Sequence, residues 1–362
     1  MGYTLSDRGR RALDQLFNHI ASLNGVQNVA RQFAIEPASE QRLIDLQSEE
    51  VGFLTLINDM PTRDLKGQVI GLGVEQMIGS RVSEANLPRK PKYVGRMQDR
   101  KFELEETLFD TKLPWQLIDN WSRFPDFATR YARHVARAIG QTRISIGWHG
   151  VSVAVDSDPQ VNPNGEDMNI GWLQKLRLEK PDHVMGRALV GAPGSQTATG
   201  AAAPIYVGAD ADYKNVDALA YDLISGMPSW ARTSTELTVI VSQDLVDEKY
   251  FPMINRPLAT TIDGGKSTSD EVVAGVIKSE RQIGGRPAMI VPYFPEGTMF
   301  ISPTKNLSIY WQEGARRRYV KDEPENMANL VDYNSSNEGY VIEDTDFAVL
   351  AENITFDAPD GP

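Results

Sequence analysis

The strongest constraint on this fold is a single long helical pattern in the middle of the chain. Phe127, Tyr131, Val135, Ala138, Ile139, Thr142 and Ile146 recur at steps of three or four, Pro125 suits a first helical position, and Gly150 can end the run. A continuous helix from Pro125 to Trp148 would span about 36 Å at 1.5 Å per residue. An element of that length is the backbone of a whole domain, and the remaining segments must be arranged around it. Arg130, Arg133 and Arg137 line another face, which reads as a solvated or intersubunit stripe rather than a phosphate site.

Ahead of that helix lie two different patterns. Leu13, Leu16, Phe17, Ile20 and Leu23 share one face of an amphipathic helix, with Arg8, Arg10, Arg11, Asp14 and Asn18 elsewhere on the wheel and Asn24-Gly25 as a stop signal. Such a face can pack on its own domain or bind a partner or an assembly surface; its terminal position favours a separate, detachable helix. Then Gln68 to Val74 and Phe102 to Phe109 carry strand character around a long polar middle, which reads as an extended hairpin. Residues 81 to 101 hold seven basic side chains, Arg81, Arg89, Lys90, Lys92, Arg96, Arg100 and Lys101, against only Glu84 and Asp99. A charge run by itself is usually a solvated face; its place at the tip of an extended hairpin favours docking on an acidic surface of a neighbouring subunit.

Behind the helix, Ile170 to Glu179 reads as a short helix, and the Gly, Ala, Ser and Thr run from Gly191 to Pro204 as a surface loop. An α/β-like alternation follows, with a helix at Val216 to Ile224, a buried strand at Leu237 to Val241, and a capping box of Thr268 and Glu271 opening a helix through Ile277. The last part turns to strands at Ala288 to Val291, Met299 to Ile301, Leu307 to Trp311, Tyr340 to Glu343 and Phe347 to Phe356.

Composition narrows the function classes. With 37 basic against 49 acidic residues and a formal charge of -12, the chain has the wrong sign for a protein whose main task is to grip phosphates. No run approaches the roughly 20 apolar residues of a membrane span, and no amino-terminal hydrophobic stretch resembles a signal peptide, so neither membrane insertion nor secretion is expected. Cysteine is absent, which removes disulfides and thiolate metal sites and suits a reducing cytoplasm.

The motifs of chemistry are all near misses. Gly265-Lys266-Ser267 ends like a phosphate-binding loop, but Thr260 stands where the first glycine of that pattern belongs. Gly71 and Gly73 begin a dinucleotide-type pattern that Gln76 breaks. His19, His134, His149 and His183 lack metal-ligand spacing, no G-x-S-x-G elbow occurs, and Glu103, Glu105 and Glu106 would divide between the two faces of a strand. No catalytic, cofactor or metal residues are therefore assigned.

Longer matches carry more information. Phe33-Ala-Ile-Glu-Pro37, Gly171-Trp-Leu-Gln-Lys-Leu-Arg177, Asp247-Glu-Lys-Tyr-Phe-Pro252, Val291-Pro-Tyr-Phe-Pro295, Asn306-Leu-Ser-Ile-Tyr310 and Gly339-Tyr-Val-Ile-Glu-Asp344 resemble, in the same order, stretches of the major capsid proteins of P2-type tailed bacteriophages. The similarity runs from about Leu13 to Ile354. It implies an α+β, HK97-like capsid fold: an N-terminal helix and arm (1–61), an extended loop (62–113), a peripheral domain with the spine helix (114–205), an axial domain (206–330) and strands returning to the peripheral domain (331–362).

The resemblance also implies a role and partners. The subunit would self-assemble as pentamers and hexamers into the icosahedral head shell, made in the cytoplasm of the bacterial host and enclosing double-stranded DNA without sequence-specific binding. A scaffolding protein, a maturation protease and a portal ring would attend it, and cleavage of an N-terminal segment is expected near Phe33 and Ala34. An encapsulin-like compartment shell of the same fold is the alternative, and an enzyme would need a convergent polar pocket.

Overall fold

The computed structural model describes residues 4–35, 37–69, 100–208, 211–254, 281–323 and 329–356. They form two compact units, the first falling within 1–69, 99–171 and 307–341, the second within 172–306 and 342–362.

Four helices belong to the first unit: α1 (Asp7–Asn24), α2 (Pro37–Glu50), α3 (Trp115–Trp121) and α4 (Phe127–His149). Helix α4 is the long element read from the sequence, starting two residues later and ending one residue further on. Its apolar stripe of Phe127, Tyr131 and Val135 joins Leu113, Ile118, Val320 and Leu330 in one buried cluster.

Helix α1 is fixed at both ends. The Ser6 hydroxyl accepts from the Gly9 N–H (3.0 Å), and Gly25 adopts φ 68°, a left-handed conformation that glycine takes without a Cβ clash. The expectation of a detached helix is corrected here. Leu13, Leu16 and Ile20 are buried in the same cluster as the α4 stripe, because the amphipathic face finds its complement within its own unit.

Helix α2 went unread because its buried positions include Ser39, Glu40 and Gln47, polar residues that interrupt the apolar period; Ile44 is a fully buried hydrophobe among them. It packs against α4.

The sheet of this unit runs Phe33–Ala34, Arg317–Glu323, Asn329–Ile342, Leu307–Gln312, Asn58–Thr62, with Glu105–Leu108 and Thr111–Pro114 also pairing along Asn329–Ile342. The 14-residue strand Asn329–Ile342 contains Asn334-Ser-Ser-Asn-Glu338, which lacks the β-branched and aromatic residues that normally signal a strand. Its partners on the sheet hold it extended. At the foot of the expected hairpin, Lys66–Gln68 pairs antiparallel with Lys101–Glu103, and Phe102 packs with Val69, Leu104 and Val341. The hairpin's polar middle lies outside the described residues.

The second unit contains α5 (Trp172–Glu179), α6 (Val216–Gly226), α7 (Ser229–Arg232) and α8 (Gln243–Ile254) around a six-stranded mixed sheet. That sheet has the order Gln282–Ile283, Arg286–Met289, Thr238–Val241, Met299–Ser302, Val349–Ala351, Val184–Met185. The expected strand at Leu237 to Val241 is central, with Val239, Ile240 and Val241 fully buried. Asn215 caps α6 by accepting from the Ala218 N–H at 2.7 Å.

The Gly191 to Pro204 run is largely exposed, as read, but carries its own bridges, Arg187 to Ala202 and Val190 to Thr197, and buries Ala198. The capping box at Thr268 and Glu271, the Gly265-Lys266-Ser267 turn, and Gly71 and Gly73 lie outside the described residues.

Candidate functional site

The most unusual chemistry of the first unit is buried charge. Arg143 projects from α4 with no exposed surface, donating from Nη2 to Asp59 (2.8 Å), from Nε to Glu338 (2.9 Å) and from Nη1 to the Gln47 side-chain oxygen (3.3 Å). One guanidinium fork thereby ties α4 to α2 and to two strands of the sheet. Glu338 also accepts from the Arg316 Nη2 (3.4 Å) and the Ser336 hydroxyl (2.5 Å).

The two arginines differ. Burial opposes the charge on both. Asp59 and Glu338 outweigh it at Arg143 and raise its pKa, whereas Arg316 stays below its usual value. Repulsion from Arg143 adds to burial at Arg316, and the attraction of Glu338 and of Glu40, the latter no closer than 3.8 Å and beyond hydrogen-bond reach, does not offset them. Burial likewise pushes Glu40 up, only partly countered by the Gly314 N–H and Arg316.

A separate ion cluster sits in the second unit. Glu352 accepts from both Arg177 and Arg187, and Arg177 donates to the Gln174 side-chain oxygen at 2.9 Å. Gly186 lets the backbone pass there: with φ 89°, a Cβ at this position would lie 1.9 Å from the Glu352 carbonyl oxygen. His183, buried, sets its Nδ1 2.8 Å from the Ala348 carbonyl, a packing role. Among the described residues, no group of three or more His, Cys, Asp or Glu side chains is placed to hold a metal ion, and no helix is long and apolar enough to cross a membrane.

The residues singled out from the sequence fall at edges. Phe33 and Ala34 form a two-residue strand opposite Arg318 and Arg317, directly after an exposed stretch, Ala30 to Gln32, and before Ile35, which is buried and donates to the Arg316 carbonyl (3.1 Å). Arg81, Arg89, Lys90, Lys92 and Arg96 lie outside the described residues. Arg100 and Lys101 stand at the foot of the hairpin, where the Val69 N–H donates to the Arg100 carbonyl and Lys101 pairs with Gln68.

Both ion clusters lock elements together and leave the chemistry internal, so function has to be sought in the outer faces. An α+β chain organised on one long helix, aligning over nearly its whole length with a procapsid subunit, has the HK97-like capsid fold and is a viral shell subunit. Residues 12–354 match the model of the family described as phage major capsid protein, P2 family, and the chain belongs to that family.

Relatives agree over nearly the whole chain. The chain is 34% identical to capsid proteins of Escherichia phage P2, over 93% of this chain and 92% of the relative. It is 30% identical to the major capsid protein of Serratia phage KSP20, over 97% and 98% of the two chains. Among solved structures, a chain of the satellite phage P4 procapsid that includes the size determination protein Sid aligns with a TM-score of 0.74 and 32% identity, over 96% of this chain and 99% of that one. The protein is a structural component of a virion shell.

Proposed function

We propose that the subunit closes, as pentamers and hexamers, into an icosahedral head around double-stranded DNA, and that it makes and breaks no bond itself. The match across residues 12–354 carries this reading, because assembly surfaces are spread over a whole subunit and cannot be inherited through a short motif. Many modest contacts repeated around a closed shell make dissociation slow even where each interface is weak. On this reading residues 62–113 reach to a neighbour, 114–205 and 331–362 form the periphery, and 206–330 lie near the capsomer axes.

A scaffolding protein, a maturation protease and a portal ring are the partners proposed, with assembly in the host cytoplasm and DNA held without sequence recognition. The negative net charge suits a lining that does not trap the packaged genome. Trimming near Phe33 and Ala34 is supported by the exposed stretch Ala30 to Gln32 just ahead of them. Electron microscopy of the chain co-expressed with its scaffold tests the proposal: closed shells of uniform diameter are expected, and amorphous or purely monomeric material would refute it.

The basic run gives a sharper check. Changing Arg89, Lys90 and Lys92 to glutamate should abolish or strongly reduce shell formation, and added salt should weaken assembly of the wild type, while the unfolding midpoint of the free subunit stays put. Exposed pairs contribute only about 0–1 kcal/mol each, so the effect comes from reversing several per subunit in a repeated contact. Undiminished assembly of the triple variant would falsify the electrostatic docking.

A further inference from the structure

Among the described residues one face of α4 is left uncovered, and its two halves have different chemistry. Where α3 turns into α4, a groove of about 700 Å³ has Leu117 and Trp121 on one wall and Phe127, Tyr131, Val135 and Ala138 along its floor. Its mouth is strongly apolar: Leu117 is 39% exposed, Trp121 42%, and Phe124, in the turn beyond, 49%. Three large hydrophobes left open within one corner form an interaction patch rather than scattered surface residues.

The groove runs directly into a cationic shelf. Arg130 and His134 belong to both, and the shelf continues with Arg133 and Arg137, one and two turns of α4 in all. Two carboxylates face these three guanidiniums: Asp126 accepts from Arg130 (2.6 Å), while Glu50 accepts from Arg137 (2.9 Å) and lies 4.0 Å from Arg133. Lys112 adds a further cation to the groove lining. The arginine side chains remain 57–65% exposed, so their charge is open to a partner. In a chain of net charge -12 this is a local inversion of sign.

We propose that this face docks an acidic amphipathic helix of a partner protein, its apolar stripe seated between α3 and α4 and its carboxylates on Arg133 and Arg137. A helix presents apolar side chains at i, i+3, i+4 and i+7 with charges flanking them, which is the pairing of surfaces found here. Duplex DNA fits less well, because phosphates would use the arginines but leave Leu117, Trp121 and Phe124 without apolar partners and would have to be desolvated against them. The apolar face of α1 from a second copy is already committed to its own unit's core. The assignment goes beyond shell formation, and its test uses the free full-length subunit, so the result stands whether or not shells form.

The probe is a fluorescent 18-residue synthetic helix with leucine on one face and glutamate on the other, titrated by anisotropy against the unassembled subunit. Saturable binding is expected, with affinity at least about tenfold weaker for Arg133→Glu/Arg137→Glu and for Leu117→Ser, a loss of roughly 1.4 kcal/mol or more. Both variants are checked against the wild type for unchanged thermal unfolding. A lysine-faced version of the peptide and a 20-base-pair duplex should bind at least tenfold more weakly than the acidic helix. Absence of acidic-peptide binding overturns the proposal. So does binding insensitive to Leu117→Ser, which would reveal mere charge attraction, or preference for the duplex, which would make the shelf a polyphosphate site. Concentration-dependent self-association that Leu117→Ser abolishes, without peptide binding, would instead assign the face to a second copy.

Discussion

Replacing Arg143 with methionine is expected to lower the unfolding free energy of the free subunit by about 3–5 kcal/mol, the range for breaking one partner out of a buried ion pair. Asp59 and Glu338 would remain interior with their shared counter-charge gone, and the Gln47 side-chain oxygen would lose its donor. Arg143→Lys should recover only part of the loss, because one ammonium cannot reproduce the directions of a planar fork that reaches three acceptors. Denaturant titration of the free subunit measures both. An Arg143→Met protein with an unchanged midpoint would show that the cluster contributes nothing net.

The same cluster sets a pH signature. Burial raises the Glu338 pKa, but Arg143, Arg316 and the hydrogen bonds from Ser336 and Arg143 together hold it below the usual carboxylate range. A carboxylate depressed in the folded state contributes stability that is present above its unfolded pKa and is lost as the pH falls through its folded value. Glu40, shifted the other way, opposes this and favours the protonated folded form. The gap in stability between wild type and Arg143→Met should therefore narrow in acid, as protonation of Glu338 removes the charge that Arg143 was neutralising.

Removing Met1 to Phe33 from the free subunit should cost most of its stability. Leu13, Leu16 and Ile20 alone bury nearly all their side-chain surface, and at about 1.5–3 kcal/mol each they supply roughly 5–9 kcal/mol against a typical domain stability of about 5–15 kcal/mol. A chain starting at Ala34 is expected to aggregate or to melt far below the full-length protein when expressed alone. If trimming near Phe33 takes place, it must then follow assembly, when neighbours can take over the uncovered Leu113, Ile118 and Val320. Intact-mass analysis of virion subunits checks the trimming, which a chain beginning at Met1 or Gly2 would refute. A truncated free subunit as stable as the full chain would refute the ordering.

What could be read in advance followed from periodicity. Helix α4, helix α6 and the central strand at Leu237 to Val241 carry uninterrupted apolar patterns and were legible as such. Of the strand Asn329–Ile342 only the end, Tyr340 to Ile342, was, because its middle is polar and is extended only by partners on both sides, some of them more than 200 residues away. The fate of α1 was half legible: its apolar face was plain, but a wheel does not say what covers it. Arg143 escaped notice although a signal existed. It lies eight residues after Val135 and three before Ile146, on the buried side of α4, where a charged residue has to be matched by buried acids elsewhere in the chain. Glu338 and Asp59 are those acids, and nothing local in their sequence announces it.

The sheet of the first unit sets a schedule for synthesis. Asn58 and Ser308 meet across parallel strands although they stand 250 residues apart, and Phe33 waits for Arg318. At a translation rate of about 5–20 residues per second, the early strands Phe33–Ala34 and Asn58–Thr62 emerge from the ribosome roughly 10–50 s before their partners exist. Throughout that interval they are sheet edges without their partners. Strand order alone thus exposes the nascent chain to edge-to-edge association, and any slowing of translation before residue 307 lengthens the time it spends in that state.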